Sequence, residues 1–395
     1  MIPPIPRDDM SSLVSQLSPI LFLTGIFFLN FLSRIVLSPL MPVIEKDLKI
    51  GHGEAGSFFL LISAGYCLML LASGFVSSRL NHRRSIILSS MSAGGALLIV
   101  GFSRHPWGIG FGLVCLGMSA GLYLPSGIAT LTHLVSPKHW GKALGVHELA
   151  PNLSYVVAPL LADFLLGWCS WHGVLTLFGV ASLLSGFLFI RFGKGGTFRG
   201  EAPNMGILGI VLKKSSLWIM MALFCLGVGA SLGMYAMFPL YLVSERGMDR
   251  SWASTLIGLS RVLPVGMVFV SGWVTDRLGP KRALKAIFMA SGMITVLLGV
   301  VSPSWVVPII FLQPMLACSF FPPAFAALSR MGSPDINIVA VPLTISVGFL
   351  MGGGAIPVGI GLVGETWSFS LGFVILGALL FGGVLLVHYL KLTDD

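Results

Sequence analysis

The chain reads as long apolar stretches separated by short polar punctuation. Twelve such stretches can be marked, at 19–42, 53–78, 85–102, 107–134, 141–167, 171–192, 217–243, 252–274, 283–301, 305–329, 336–364 and 368–390. Each is long enough to cross about 30 Å of hydrocarbon as a helix rising about 1.5 Å per residue. The short alternating strands of a barrel do not occur. The first stretch is too long for the core of a cleaved signal peptide, and no small-residue cleavage site follows it. The pattern predicts an all-α polytopic membrane protein with twelve transmembrane helices.

Composition supports that class. The chain has 395 residues, 55% hydrophobic and 10% charged, where a soluble domain carries about a quarter charged residues. A soluble enzyme and a disordered chain are both excluded. The net charge of +9 sits in loops, so it does not point to nucleic acid. It orients the chain instead. If the N-terminus is cytoplasmic, the inner segments hold seventeen Lys and Arg, from Arg7 to Lys391, and the outer loops hold five. Both termini are then cytoplasmic by the positive-inside rule. Cys67, Cys115, Cys169, Cys225 and Cys318 lie in apolar stretches without metal-ligand spacing, so buried thiols are expected, with no metal and no cofactor.

The longest connection, 193–216, is basic and glycine-rich, with an apolar patch at 207–212 that suits an interfacial helix. It predicts a division into an N-terminal six-helix bundle (1–192), a cytoplasmic linker (193–216) and a C-terminal six-helix bundle (217–395). The halves resemble each other at an offset of 198. Gly74-Phe-Val-Ser-Ser-Arg-Leu-Asn-His-Arg-Arg84 answers Gly272-Trp-Val-Thr-Asp-Arg-Leu-Gly-Pro-Lys-Arg282. Pro125 answers Pro323, and Pro159 answers Pro357. Pro42 answers Pro239 one residue closer, at 197. Parallel six-helix repeats imply two bundles around a central cavity.

Gly272, Asp276, Arg277, Gly279, Lys281 and Arg282 resemble the signature loop of the major facilitator superfamily, G-x3-D-[RK]-x-G-x-[RK]-[RK]. The first-half copy departs from it: Ser78 replaces the acid and Asn81 the glycine, while Arg79 and Arg83 remain. The resemblance spans the whole chain. It implies two pseudo-symmetric bundles that rock about a midplane site, the alternating-access mechanism of secondary transport. In that scheme Gly272, Asp276, Arg277, Gly279 and Arg282, with Arg79 and Arg83, latch and release the bundles on the inner side. The loop charges could instead be topology markers alone.

Two arginines fall inside spans. Arg34 lies eight residues before Pro42, and Arg261 about nine residues into span eight. Such a charge costs about 2.5–3.5 kcal/mol at a helix centre on insertion scales. Neither has an acid at i±3 or i±4. Two such cations facing one cavity would hold an anion, and a guanidinium can grip a carboxylate with two hydrogen bonds. Each could instead pair with a carbonyl or with Glu148. Arg34 with Pro42 resembles the first helix of the organophosphate:phosphate antiporters and the anion:cation symporters, and span five through Pro159 is similar to theirs. Pro151 stands at the antiporters' histidine position, and span seven lacks their second arginine. An arginine in span eight instead resembles monocarboxylate transporters and the oxalate:formate antiporter. The resemblances together imply a small organic anion, a carboxylate foremost.

Glu148 and His147 are candidates for proton coupling, because a carboxyl in apolar surroundings can carry a proton. A structural contact would use the same residues. Asn30 lies one turn before Arg34 and is expected to share its face. Tyr66 and Tyr123 could donate to the anion, whereas Asn152, Tyr155 and Tyr235 read as packing. The expectation is a monomeric proton-coupled symporter in a bacterial inner membrane, with lipid and a small anion as partners. The alternative is proton-driven multidrug efflux. Such exporters usually carry an arginine in span four and a G-P motif in span five. This chain has Gly117 and Val156-Val-Ala-Pro159 there.

Overall fold

The computed structural model describes residues 16–202 and 205–392. Arg7, counted among the loop charges, lies outside them. Among the described residues, twelve helices are long and apolar enough to cross a membrane. Spans one to six are Leu17–Leu48, His52–Leu80, His82–Phe102, Pro106–Leu134, Pro137–Leu166 and Trp171–Phe192. Spans seven to twelve are Ser215–Glu245, Arg250–Leu278, Pro280–Val300, Pro303–Ser329, Ile336–Thr366 and Phe369–Tyr389. Span one runs six residues past Pro42, because a proline only bends a helix whose neighbours satisfy the freed carbonyl. A short helix, Met205–Leu212, lies between spans six and seven. The five cysteines are unpaired and half-buried, less enclosed than their apolar flanks suggest.

Prolines shape the spans near the centre. Pro39 removes the amide that would bond the Ile35 carbonyl, and its ring crowds that carbonyl. Span one breaks there, its helix ending at Ile35 and resuming at Leu37. Pro264 does the same to Ser260, and span eight breaks at Arg261. Each break falls beside an arginine. Elsewhere a freed carbonyl is reused between helices. Pro239 frees the carbonyl of Tyr235, which accepts from Ser38 Oγ at 2.7 Å. Pro323 frees that of Ser319, which accepts from Ser271 Oγ at 2.5 Å.

The repeat is visible in the backbone. Gly279 has φ 79° and ψ 156°, and Asn81, its counterpart, has φ 73° and ψ 163°. That region is nearly glycine's alone. Asn81 tolerates it while its side chain accepts from the Arg84 amide, capping span three at 2.9 Å. Ser38 Oγ also reaches the carbonyl of Ala236, 198 residues away, at 3.3 Å. Spans one and seven therefore touch at repeat-related positions.

Among the described residues, three hydrogen-bonded joints connect the halves. Ser38 meets span seven. Glu365 of span eleven accepts from the Gly53 amide at 3.1 Å. Asp163 of span five pairs with Arg250 of span eight at 3.1 Å. The last two lie at the end opposite the termini. Close backbone approach holds span two in place within its own half: a side chain at Gly117 would strike the Ile62 carbonyl, and one at Gly65 that of Val114. Small residues allow such contact where lipid supplies no hydrophobic drive.

Candidate functional site

The two intramembrane arginines meet at the junction of the halves. Arg34 stands half-buried with its guanidinium carbon 4.8 Å from the Phe31 ring centre and 4.9 Å from that of Tyr66. Its Nε is buried without a hydrogen-bond partner. It lines a cavity of about 30 Å³ with residues of both halves, among them Ser63 and Tyr66 from one and Tyr235 and Phe349 from the other. That is room for about one water.

Arg261 is 3% exposed. Its guanidinium lies between two rings, 5.0 Å from the Tyr155 centre and 4.8 Å from that of Tyr235. Those rings belong to different halves and meet edge to face at 4.8 Å. One Nη donates weakly to the Ser231 carbonyl at 3.4 Å. Nε and the other Nη are buried without partners. Tyr155 lies within electrostatic reach of both arginines, and Phe31 packs on it at 5.3 Å. None of the ion pairs among the described residues includes Arg34 or Arg261. Cation–π contact contributes about 2 kcal/mol or more when desolvated, which offsets the cost of leaving guanidinium donors unmatched only in part. The centre is built for negative charge and presents none.

Span seven helps to form this centre. It turns through a π-helical stretch at Gly229–Gly233, where the looser winding turns carbonyls toward side chains. Gln313 of span ten, fully buried, donates to the Ala230 carbonyl at 2.8 Å. Sequence reading passed over Gln313, and it took Tyr155 and Tyr235 for packing. Pro39 and Pro264, five and three residues after the arginines, mark the helix breaks in the sequence, but nothing comparable marks Gln313, Tyr155 or Tyr235.

Tyr66 is at the centre, as the cavity lining shows. Asn30 and Tyr123 are not, which corrects the expectation that they line it. Asn30 Nδ2 donates to Ser89 of span three at 3.2 Å, so it turns into the N-terminal bundle. The Tyr123 hydroxyl donates to the Leu23 carbonyl at 2.7 Å and meets His147 Nε2 at 3.1 Å. Leu23 lies eleven residues, about 16 Å of helix, from Arg34. His147 is fully buried, stacked on Phe27 at 4.4 Å. Because the Tyr123 proton goes to Leu23, His147 Nε2 must donate to the Tyr123 oxygen. Its Nδ1 then faces Glu148 at 3.8 Å. The Glu148 side chain is 54% exposed, so the apolar enclosure expected of it is absent. It remains within electrostatic reach of Tyr66 and Tyr123.

The loop residues separate into two kinds. Arg83 donates to the carbonyls of Gly193, Phe189 and Ile190, at 2.5, 3.3 and 3.1 Å. It closes the end of span six and binds the following linker. In this conformation its hydrogen bonds stay within its own half and the linker, and none reaches the other half. Asp276, Arg277 and Arg282 are exposed, as is Arg79. Arg277 lies over Trp273 at 4.2 Å. A side chain at Gly272 or Gly279 would meet nothing within 4 Å, so no opposing helix crowds this loop.

A sequence model of the Major Facilitator Superfamily matches residues 23–337. The chain is 22% identical to the probable sulfoacetate transporter SauU of Cupriavidus necator, covering 91% of this chain and 90% of that one. It is 24% identical to the multidrug efflux protein YfmO of Bacillus subtilis, covering 96% and 95%. It is 23% identical to a hexuronate transporter of the same organism, covering 70% and 68%. Among solved structures, the nucleoside transporter NupG superposes with a TM-score of 0.76 at 13% identity, covering 94% of this chain and 98% of that one. A bacterial homologue of the human lysosomal transporter Spinster gives 0.76 at 16%, covering 96% and 95%. The chain belongs to the Major Facilitator Superfamily and is a multi-pass membrane transporter of that family, not an enzyme.

Proposed function

We propose that the protein carries a small organic anion across a bacterial inner membrane by alternating access, with carboxylates foremost. One observation carries this reading: Arg34 and Arg261, from opposite halves, converge on one aromatic cluster with buried donors unmatched and no carboxylate paired to them. An anion gripped by both would draw the halves together, which couples binding to closure. Similarity to sulfoacetate and hexuronate transporters agrees with an anionic substrate. The termini are taken as cytoplasmic from the distribution of Lys and Arg. The joints at Asp163–Arg250 and Gly53–Glu365 then close the outer side. Proton coupling is assigned to the His147–Glu148 pair, in which the exposed Glu148 carboxylate meets water and lies 3.8 Å from the buried, unpartnered His147 Nδ1. Its basis is therefore geometry and not burial.

The test is a thermal-shift screen of purified protein against carboxylates, sulfonates, phosphates and lipophilic cations, with Arg261→Ala alongside. Saturable stabilisation by one anion class that the variant loses is the expected result. Stabilisation by lipophilic cations, unchanged in the variant, would overturn the proposal in favour of drug efflux.

A further inference from the structure

The anion site leaves one buried acceptor unexplained. Gln313 is fully buried in span ten. Its Nε2 donates to the Ala230 carbonyl at 2.8 Å. That contact fixes the amide's orientation, since the flipped form would set two oxygens against each other. Its Oε1 is thereby left buried with no donor. A buried amide oxygen without a partner is destabilising, and apolar side chains of similar size avoid that cost.

The position is specific. Gln313 holds the carbonyl of Ala230 and Arg261 that of Ser231, consecutive residues of the π-helical turn in span seven. Two side chains from different helices are thus docked on neighbouring carbonyls. One offers unmatched positive donors, the other an unmatched neutral acceptor. The Tyr235 hydroxyl, four residues along the same helix, is also buried without a partner.

From this pairing we infer that Gln313 is a specificity residue and that the substrate is a hydroxylated anion, whose hydroxyl donates to Gln313 Oε1 while its acid group takes Arg261. This rests on the anion reading and narrows it. A carboxylate or sulfonate alone would satisfy Arg261 and leave Oε1 orphaned. A hydroxyl near the acid group satisfies both, and Tyr235 can add a second hydrogen bond. A site with a buried acceptor discriminates strongly against the analogue lacking the donor.

The experiment uses the full-length protein in detergent or nanodiscs and three pairs of probes differing by one hydroxyl: lactate and propionate, malate and succinate, isethionate and ethanesulfonate. Dissociation constants are compared for the wild type and for Gln313→Met, which keeps length and removes the amide. In the wild type the hydroxylated member of the bound pair is expected to bind roughly tenfold tighter. In Gln313→Met that ratio is expected to fall to within about twofold, through weaker binding of the hydroxylated member, with the plain anion bound as well or better. Retained plain-anion binding shows that the variant is folded. If it does not bind, Gln313→Leu, which also removes the amide at similar volume, serves as the second variant and must show the same loss of the hydroxyl preference. Equal binding within pairs by the wild type, or a preference that survives Gln313→Met, overturns the inference and leaves the anion reading standing. Failure of all six probes to bind removes both.

Discussion

Arg34 and Arg261 occupy matched settings and are held in unlike ways. Each sits at a proline-made break in its span, and each lies against aromatic rings. Arg34 is restrained by ring faces of its own half and borders the cavity. Arg261 is clasped between rings of both halves and reaches the Ser231 carbonyl. The difference teaches that one residue type can play two parts in one site. In the proposed function, Arg34 serves only as an anion ligand, whereas Arg261 serves as a ligand and also as a link between rings of the two halves. A substrate that takes Arg261 must compete with the Tyr155–Tyr235 clasp.

That comparison can be broken most directly at Arg261. Arg261→Ala is expected to weaken anion binding by about a hundredfold or more, because a buried charge partner is lost. Arg261→Lys should restore little, since an ammonium cannot reproduce a planar two-pronged grip. Isothermal titration with the anion found by the thermal screen reads both. Arg34→Ala is expected to cost less, about tenfold, with the protein still able to close. An equal loss at the two sites would erase the distinction between them.

Tyr155→Phe and Tyr155→Ala sharpen it further. The ring face survives in the first and is absent in the second. Tyr155→Ala should therefore loosen the clasp and raise labelling of a cysteine placed at Ala236 by about threefold, whereas Tyr155→Phe should leave it near the wild-type rate. Glu148→Gln is expected to leave exchange intact and impair accumulation driven by a proton gradient. Normal accumulation by that variant would remove the coupling role. The smallest effect is expected far from the site. Asn81→Gly relieves an unfavourable φ and gives up a side-chain cap, for a net gain of about 1 kcal/mol in stability and unchanged binding.

Much of this was legible in the sequence because bilayers demand long apolar helices and repeats demand matched punctuation. Twelve spans, a family signature at Gly272–Arg282 and two anomalous arginines needed no coordinates. What failed was the assignment of side chains to faces. Asn30 is one turn from Arg34, yet the break at Val36 and packing on Ser89 turn it away. Tyr123 found its partners in Leu23 and His147 of neighbouring helices, which no spacing reveals. Arg83 looked like a gate charge because its loop copies the signature. Its partners are carbonyls of span six and the linker, over 100 residues away. Gln313 was overlooked because one amide in an apolar span carries no periodic signal. Only its orphaned oxygen makes it conspicuous.

The missing counter-charges around Arg34 and Arg261 also have an electrical consequence. In a carrier that opens to alternate sides, the voltage falls mainly across whichever side is shut. The central site therefore sits at the potential of the side it faces, and its charge crosses nearly the whole field when access switches. In the proposed cycle, Arg34 and Arg261 would carry two positive charges through that field when the carrier returns without an anion. Each is worth about 2.3 kcal/mol per 100 mV. A bound monoanion halves that burden and a dianion removes it. Membrane voltage would therefore act most strongly on the unloaded protein, setting how fast it returns for its next passenger.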